Sequence, residues 1–103
     1  MKIFRKLIRD KIPEIIAANG EKAVTRVLDD AEFVKALENK LLEEVQELRA
    51  GADRENEIAD IYEVLDALIR AYGLFKDEIL KFQEKKRAER GGFEKRLFLE
   101  GTE

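Results

Sequence analysis

The chain has 103 residues, 42% charged and 45% hydrophobic, with a formal net charge of −3 and neither cysteine nor histidine. That length suits one small domain spanning 1–103, and the missing residue types exclude disulfides, thiolate metal sites, a cysteine nucleophile and an imidazole base. The absence of an apolar run of about 18 residues and of a basic-then-apolar leader predicts a cytoplasmic protein with no membrane partner.

Pro13, the only proline, stands where a first helical turn tolerates it, and Asn19-Gly20 supplies a stop, so a short helix is predicted near 13–19. "EKAVTRVL" alternates with β-branched residues and predicts a short strand or extended segment. After the Asp29-Asp30 cap, Val34, Leu37, Leu41, Val45 and Leu48 recur at helical spacing over 30–50, and Gly51 ends the run. Asp53 caps a second long helix over 54–72, whose apolar residues include Ile58, Ile61, Val64, Leu65 and Leu68, with Gly73 as its stop. A further helix is predicted over 75–89, ending at "RGG". The alternation of Phe93, Leu97 and Leu99 makes 93–99 a candidate strand that pairs with 22–28 in a short ribbon. The predicted fold is mainly α: an antiparallel helical hairpin plus further helices, with that ribbon as an addition.

Acids stand on the faces these helices bury. At about 100° per residue, Glu43, Glu44 and Glu47 flank the apolar stripe of the first long helix, with Glu44 nearest to it. On the second, Glu57 and Asp60 lie within the stripe formed with Ile61, Val64 and Leu68, whereas Glu63 and Asp66 fall outside it as surface charges. The short connection makes the helices antiparallel, so Glu47 comes level with Glu57 and Glu44 with Asp60. Burying an unpaired carboxylate costs several kcal/mol, so facing acids need protons, cations or metal. A ligand set of carboxylates alone selects Mg²⁺, with Mn²⁺ as the alternative.

"EEVQE" at 43–47 followed by "EIAD" at 57–60 resembles the EExxE…ExxD signature of the all-α nucleotide pyrophosphatase superfamily, that of MazG and phosphoribosyl-ATP pyrophosphohydrolase. "KLIRDKIPEII" at 6–16, "LDD" at 28–30 and "ERGGFEKRLFLE" at 89–100 look like its small single-domain branch, described as predicted house-cleaning pyrophosphatases of noncanonical nucleotides. Nine residues separate Glu47 from Glu57, a shorter spacer than in MazG proper, so MazG's own substrates are not carried over. The resemblance implies hydrolysis of a nucleoside triphosphate to monophosphate and pyrophosphate in a homo-oligomer, a dimer or tetramer. It also implies Glu44, Glu47, Glu57 and Asp60 as Mg²⁺ ligands, Glu43 as an acid that either supports those ligands from behind or orients water, and catalysis by the acids Glu43, Glu44 and Glu47 with metal-activated water.

The chain ends are basic and its middle acidic: residues 1–11 hold five Lys/Arg against one acid, residues 29–66 thirteen acids against four bases, and residues 81–103 seven bases against five acids. Candidates to bind substrate phosphates are Lys6, Arg9 and Lys11 near the start, Lys40 beside the acids, and Lys85, Lys86 and Arg90 near the end. Each also suits a surface ion pair. Gly91-Gly92 suits a helix end better than a phosphate cradle, and Tyr62, Tyr72, Phe82, Phe93 and Phe98 are candidates either for stacking on a base or for packing. The high Lys and Glu content leans toward hyperthermophile usage. The main alternative to an enzyme is a helical interaction module whose acids pair with a basic partner. Nucleic-acid binding is disfavoured by the negative charge and the lack of a recognition motif.

Overall fold

The computed structural model describes residues 2–51 and 53–103. Among them are four helices, α1 (Ile12–Ala18), α2 (Asp30–Ala50), α3 (Arg54–Ala71) and α4 (Lys76–Arg90), and no strand. The chain divides into two compact units, Met1–Gly73 and Leu74–Glu103. No helix among the described residues is long and apolar enough to cross a membrane.

In the first unit, local chemistry sets the bounds of both long helices. Asp29 caps α2 through a reciprocal box: its Oδ1 accepts from the Glu32 amide at 2.8 Å, and Glu32 Oε1 accepts from the Asp29 amide at 3.4 Å. Arg26 forks onto Glu32 at 3.2 and 2.7 Å and braces the box. At the other end Gly51 closes α2 at φ 78, a left-handed conformation that glycine adopts without a Cβ penalty. Asp53 then caps α3, its Oδ1 accepting from the Asn56 amide at 3.3 Å.

Helices α2 and α3 pack as an antiparallel hairpin. Leu37, Val64 and Leu68 are buried between them, with Leu7, Leu41, Ala67 and Ala71 packed around that centre. Where α2 begins and α3 ends, the Tyr72 hydroxyl donates to Glu38 Oε2 at 2.6 Å. At about 1.5–3 kcal/mol for each fully buried aliphatic side chain, this small core is a modest source of stability. The hairpin leaves Ile58, Tyr62 and Leu65 on one exposed stripe of α3, with Leu42 and Val45 exposed on α2.

The second unit contains α4 and the C-terminal segment. Helix α4 has no buried residue, and Gly91 closes it at φ 83. Arg87 pairs with Glu94 just beyond that end. The ribbon does not form: neither 22–28 nor 93–99 is a strand. Within their own units Val27 is 97% exposed and Phe93 96%, so neither segment has its apolar side covered there. Residues 93–95 instead enter a turn, with the Arg96 amide donating to the Phe93 carbonyl at 3.1 Å and Arg96 at φ 56.

Candidate metal centre

Among the described residues Glu44 is the only charged one that is buried, at 4% exposure beside 3% for Leu37. It reaches that position because α2 turns its inner edge toward α3, where Glu57 and Asp60 project back from the facing stripe. One carboxylate oxygen from each of Glu44, Glu57 and Asp60 lies within 4.8 Å of the others, and the same holds for Glu43, Glu44 and Glu47. Glu44 belongs to both triads and joins them. Glu43, Glu57 and Asp60 are half-buried, whereas Glu47 is exposed.

The charges are unevenly compensated. Lys40 Nζ lies 3.4 Å from Glu44 Oε1 and 3.6 Å from Glu43 Oε1, one helical turn back. Arg9 Nη2 donates to Asp60 Oδ1 at 2.7 Å. Glu44 Oε2 and Glu57 Oε2, however, are shut away from solvent and have no hydrogen-bond partner. The Glu57 carboxyl is pushed from 4.5 up to about 7, first by its contact with Glu44, then by burial and by Glu47. For Glu44 burial acts upward, but its contact with Glu57, the Lys40 ammonium and Glu47 together hold the carboxyl below 4.5. Two carboxyls in contact cannot both stay ionised without cost, so the pair holds either a proton or a cation.

This donor set consists of carboxylate oxygens, and two of its oxygens are buried without a partner. Both properties fit a hard divalent cation that keeps part of its water shell, Mg²⁺ or Mn²⁺. Glu44, Glu57 and Asp60 are placed to hold it, with Glu47 at the exposed rim.

The candidate cations are distributed differently. Arg9 and Lys40 sit on the acids themselves. Lys6 lines a pocket of about 130 Å³ with Arg5, Asn39, Lys40 and Glu43. Lys11 is exposed at the N-terminal cap of α1. Lys85, Lys86 and Arg90 are exposed on α4, in the second unit. Of the aromatic candidates, Tyr72 is engaged by Glu38, while Tyr62, Phe82, Phe93 and Phe98 are exposed. A larger cavity of about 420 Å³ opens where α2 begins and α3 ends, lined by Asp30, Phe33, Val34, Ala67, Arg70 and Ala71.

Sequence patterning did not single out Arg5, Asn39, Phe33 or Arg70. Asn39 stands beside Lys40 on α2, so a wheel drawn for cations and amides as well as acids would have found it. The placement of Arg5 depends on the path of an irregular segment and left no local signal.

No family model and no solved structure matches the chain. A stretch of 50 residues is 52% identical to part of a Mycolicibacterium smegmatis protein described only as uncharacterized. That stretch covers 48% of this chain and 51% of the relative, so the chain spans about half the relative's length.

Proposed function

We propose that this chain is a Mg²⁺-dependent nucleotide pyrophosphohydrolase, with Mn²⁺ as an alternative ion, that cleaves a noncanonical nucleoside triphosphate to monophosphate and pyrophosphate. The observation that carries the reading is the pair of buried, partnerless oxygens, Glu44 Oε2 and Glu57 Oε2, on facing helices within an all-carboxylate cluster. A divalent cation held by Glu44, Glu57 and Asp60 would supply charge neutralisation for phosphate oxygens and a lowered pKa for nearby water. The resemblance of "EEVQE" and "EIAD" to the MazG-type signature supplies the substrate class.

The chain's own groups then have distinct tasks. Glu44 and Glu57, fixed by packing, set the ligand geometry, while Asp60 and Glu47 complete it from the rim. Glu43 orients the attacking water by accepting its hydrogen bond. Lys40 and Arg9 place positive charge against phosphate oxygens from two sides, Arg9 by turning from Asp60 to the substrate. Water adds to the α-phosphorus and gives up its proton to Glu43, the α–β anhydride P–O bond breaks, and the electron pair leaves with pyrophosphate.

The reading includes a cytoplasmic homo-oligomer, a dimer or tetramer. The stripe of Ile58, Tyr62 and Leu65 on α3 supports assembly, because a small domain seldom leaves such residues aligned in water.

The test is pyrophosphate release from a panel of canonical and damaged nucleoside triphosphates, with Mg²⁺ and with chelator. Metal-dependent release from any member is the expected result. Silence across the panel, with stability and partner binding unchanged by chelator, would replace the enzyme with a helical interaction module.

A further inference from the structure

The segment before α1 has no regular structure, yet it is anchored: Leu7 packs against the hairpin core. On one side of that anchor Arg9 reaches Asp60, and on the other Arg5 and Lys6 face α2 across the pocket of about 130 Å³. The polar lining is Arg5, Lys6, Asn39, Lys40 and Glu43, so three cations and an amide outweigh one carboxylate. Two of these groups are held in place by neighbours. The Lys40 side chain is 21% exposed and is pinned between Glu43 and Glu44, while Lys6 Nζ lies 5.6 Å from the centre of the Phe4 ring.

Arg5 itself adopts φ 47, in the left-handed region that a residue with a side chain seldom occupies. Such a conformation persists where the surroundings determine it, and it occurs disproportionately at ligand clamps. The pocket is also small. Sites for drug-sized molecules run to roughly 300–1,000 Å³, so this one admits a single compact group and no nucleoside. Its position matters as much as its size, because Lys40 and Glu43 belong both to the pocket and to the edge of the acidic cluster.

We propose that the pocket formed by Arg5, Lys6, Asn39 and Lys40 is an anion site for one phosphate group of a polyphosphate whose adjoining phosphate lies at the acidic cluster. The assignment of that polyphosphate to a nucleotide rests on the hydrolase reading; the anion pocket does not. Arg5 supplies the bidentate fork, Lys6 and Lys40 supply point charges, and the Asn39 amide donates a neutral hydrogen bond. The site selects nucleoside di- and triphosphates over monophosphates, since a monophosphate has no second group to reach it. The monophosphate product of hydrolysis is thereby released.

The experiment is a calorimetric titration of inorganic pyrophosphate into the full chain with Mg²⁺, comparing the wild type with Arg5→Gly and Asn39→Ala and measuring Mg²⁺ affinity in parallel. Glycine suits φ 47, so the first variant removes the guanidinium without straining the backbone. The expected result is a loss of pyrophosphate affinity of about tenfold or more in Arg5→Gly, with a smaller loss in Asn39→Ala and unchanged Mg²⁺ binding. Wild-type affinity in both variants would overturn the pocket, as would a wild type that binds Mg²⁺ but no pyrophosphate. Arg5-dependent pyrophosphate binding by a chain that neither binds Mg²⁺ nor hydrolyses nucleotides would uphold the pocket and overturn the hydrolase.

Discussion

Arg9 Nη2 and Asp60 Oδ1 meet at 2.7 Å although 51 positions separate them in the chain. The irregular N-terminal segment thus supplies a counter-ion to the candidate metal centre, and a metal bound there would compete with that cation for one carboxylate. Exposed ion pairs contribute about 0.2–1 kcal/mol, so Arg9→Ala should tighten Mn²⁺ binding by up to about fivefold. The same variant should raise KM, because the cation that turns to the phosphate is gone. Mn²⁺ titration with steady-state kinetics measures both; weaker Mn²⁺ binding with unchanged KM would refute this role.

Without metal, stability should peak in mildly acidic solution. Glu57 has a raised carboxyl pKa in the folded state, so its contribution is fully present below 4.5 and is lost as pH rises through about 7. Glu44 is lowered, so its contribution is present above 4.5 and is lost at more acidic pH. Urea unfolding with chelator should therefore show stability falling between pH 5 and 8, and Glu57→Gln should flatten that slope. A wild-type stability that rises steadily across the range would contradict the shared-proton pair.

Added Mg²⁺ should reverse the trend. A cation binds the ionised pair, so it competes with the Glu57 proton and its affinity should climb until pH exceeds about 7. At a concentration of about 100 times Kd, bound metal stabilises the fold by about 2.7 kcal/mol. Thermal melts at pH 5.5 and pH 8 measure this, and the shift in Tm should be larger at pH 8. Equal shifts at both would show that Glu57 is not a ligand.

Glu47→Gln and Asp60→Asn should abolish turnover and leave helix content unchanged. Glu47 is exposed, so its replacement removes a ligand without opening the core. Full activity in either variant, read as pyrophosphate release, would remove that residue from the centre.

Tyr62, 64% exposed on the α3 stripe, is a probe of assembly. Tyr62→Glu should dissociate the proposed oligomer, since a charge at the centre of an apolar interface is desolvated without a partner. Sedimentation velocity checks this, and an unchanged mass would place the interface elsewhere.

The sequence was most readable where chemistry is local. Asp29, Gly51 and Asp53 mark helix ends through hydrogen bonds made within three or four residues, and α2 and α3 begin and end within a residue of where those signals place them. The meeting of Glu44 with Asp60 was legible too, because two helices joined by a short turn have their relative level set by counting residues; that Glu57 also reaches Glu44 was not, since counting set it level with Glu47. Alternation in 22–28 and 93–99 misled because Val27 and Phe93 show a period of two with nothing to pack against. Arg5 at φ 47 and the pairing of Arg9 with Asp60 arise from the path of an irregular segment, which no periodicity encodes.

The turn between α2 and α3 acts as a gauge for the carboxylates. Gly51 holds φ 78, a conformation that strains any residue with a Cβ, whereas the Arg54 guanidinium that a Cβ would meet at 2.9 Å is a flexible end that can swing aside. One residue inserted within α3 between Asp60 and Val64 would swing Glu57 and Asp60 about 100° relative to the buried Val64 and Leu68 and away from Glu44. Whether the opposing carboxylates meet is thus decided by their register against the apolar core as much as by the acids themselves.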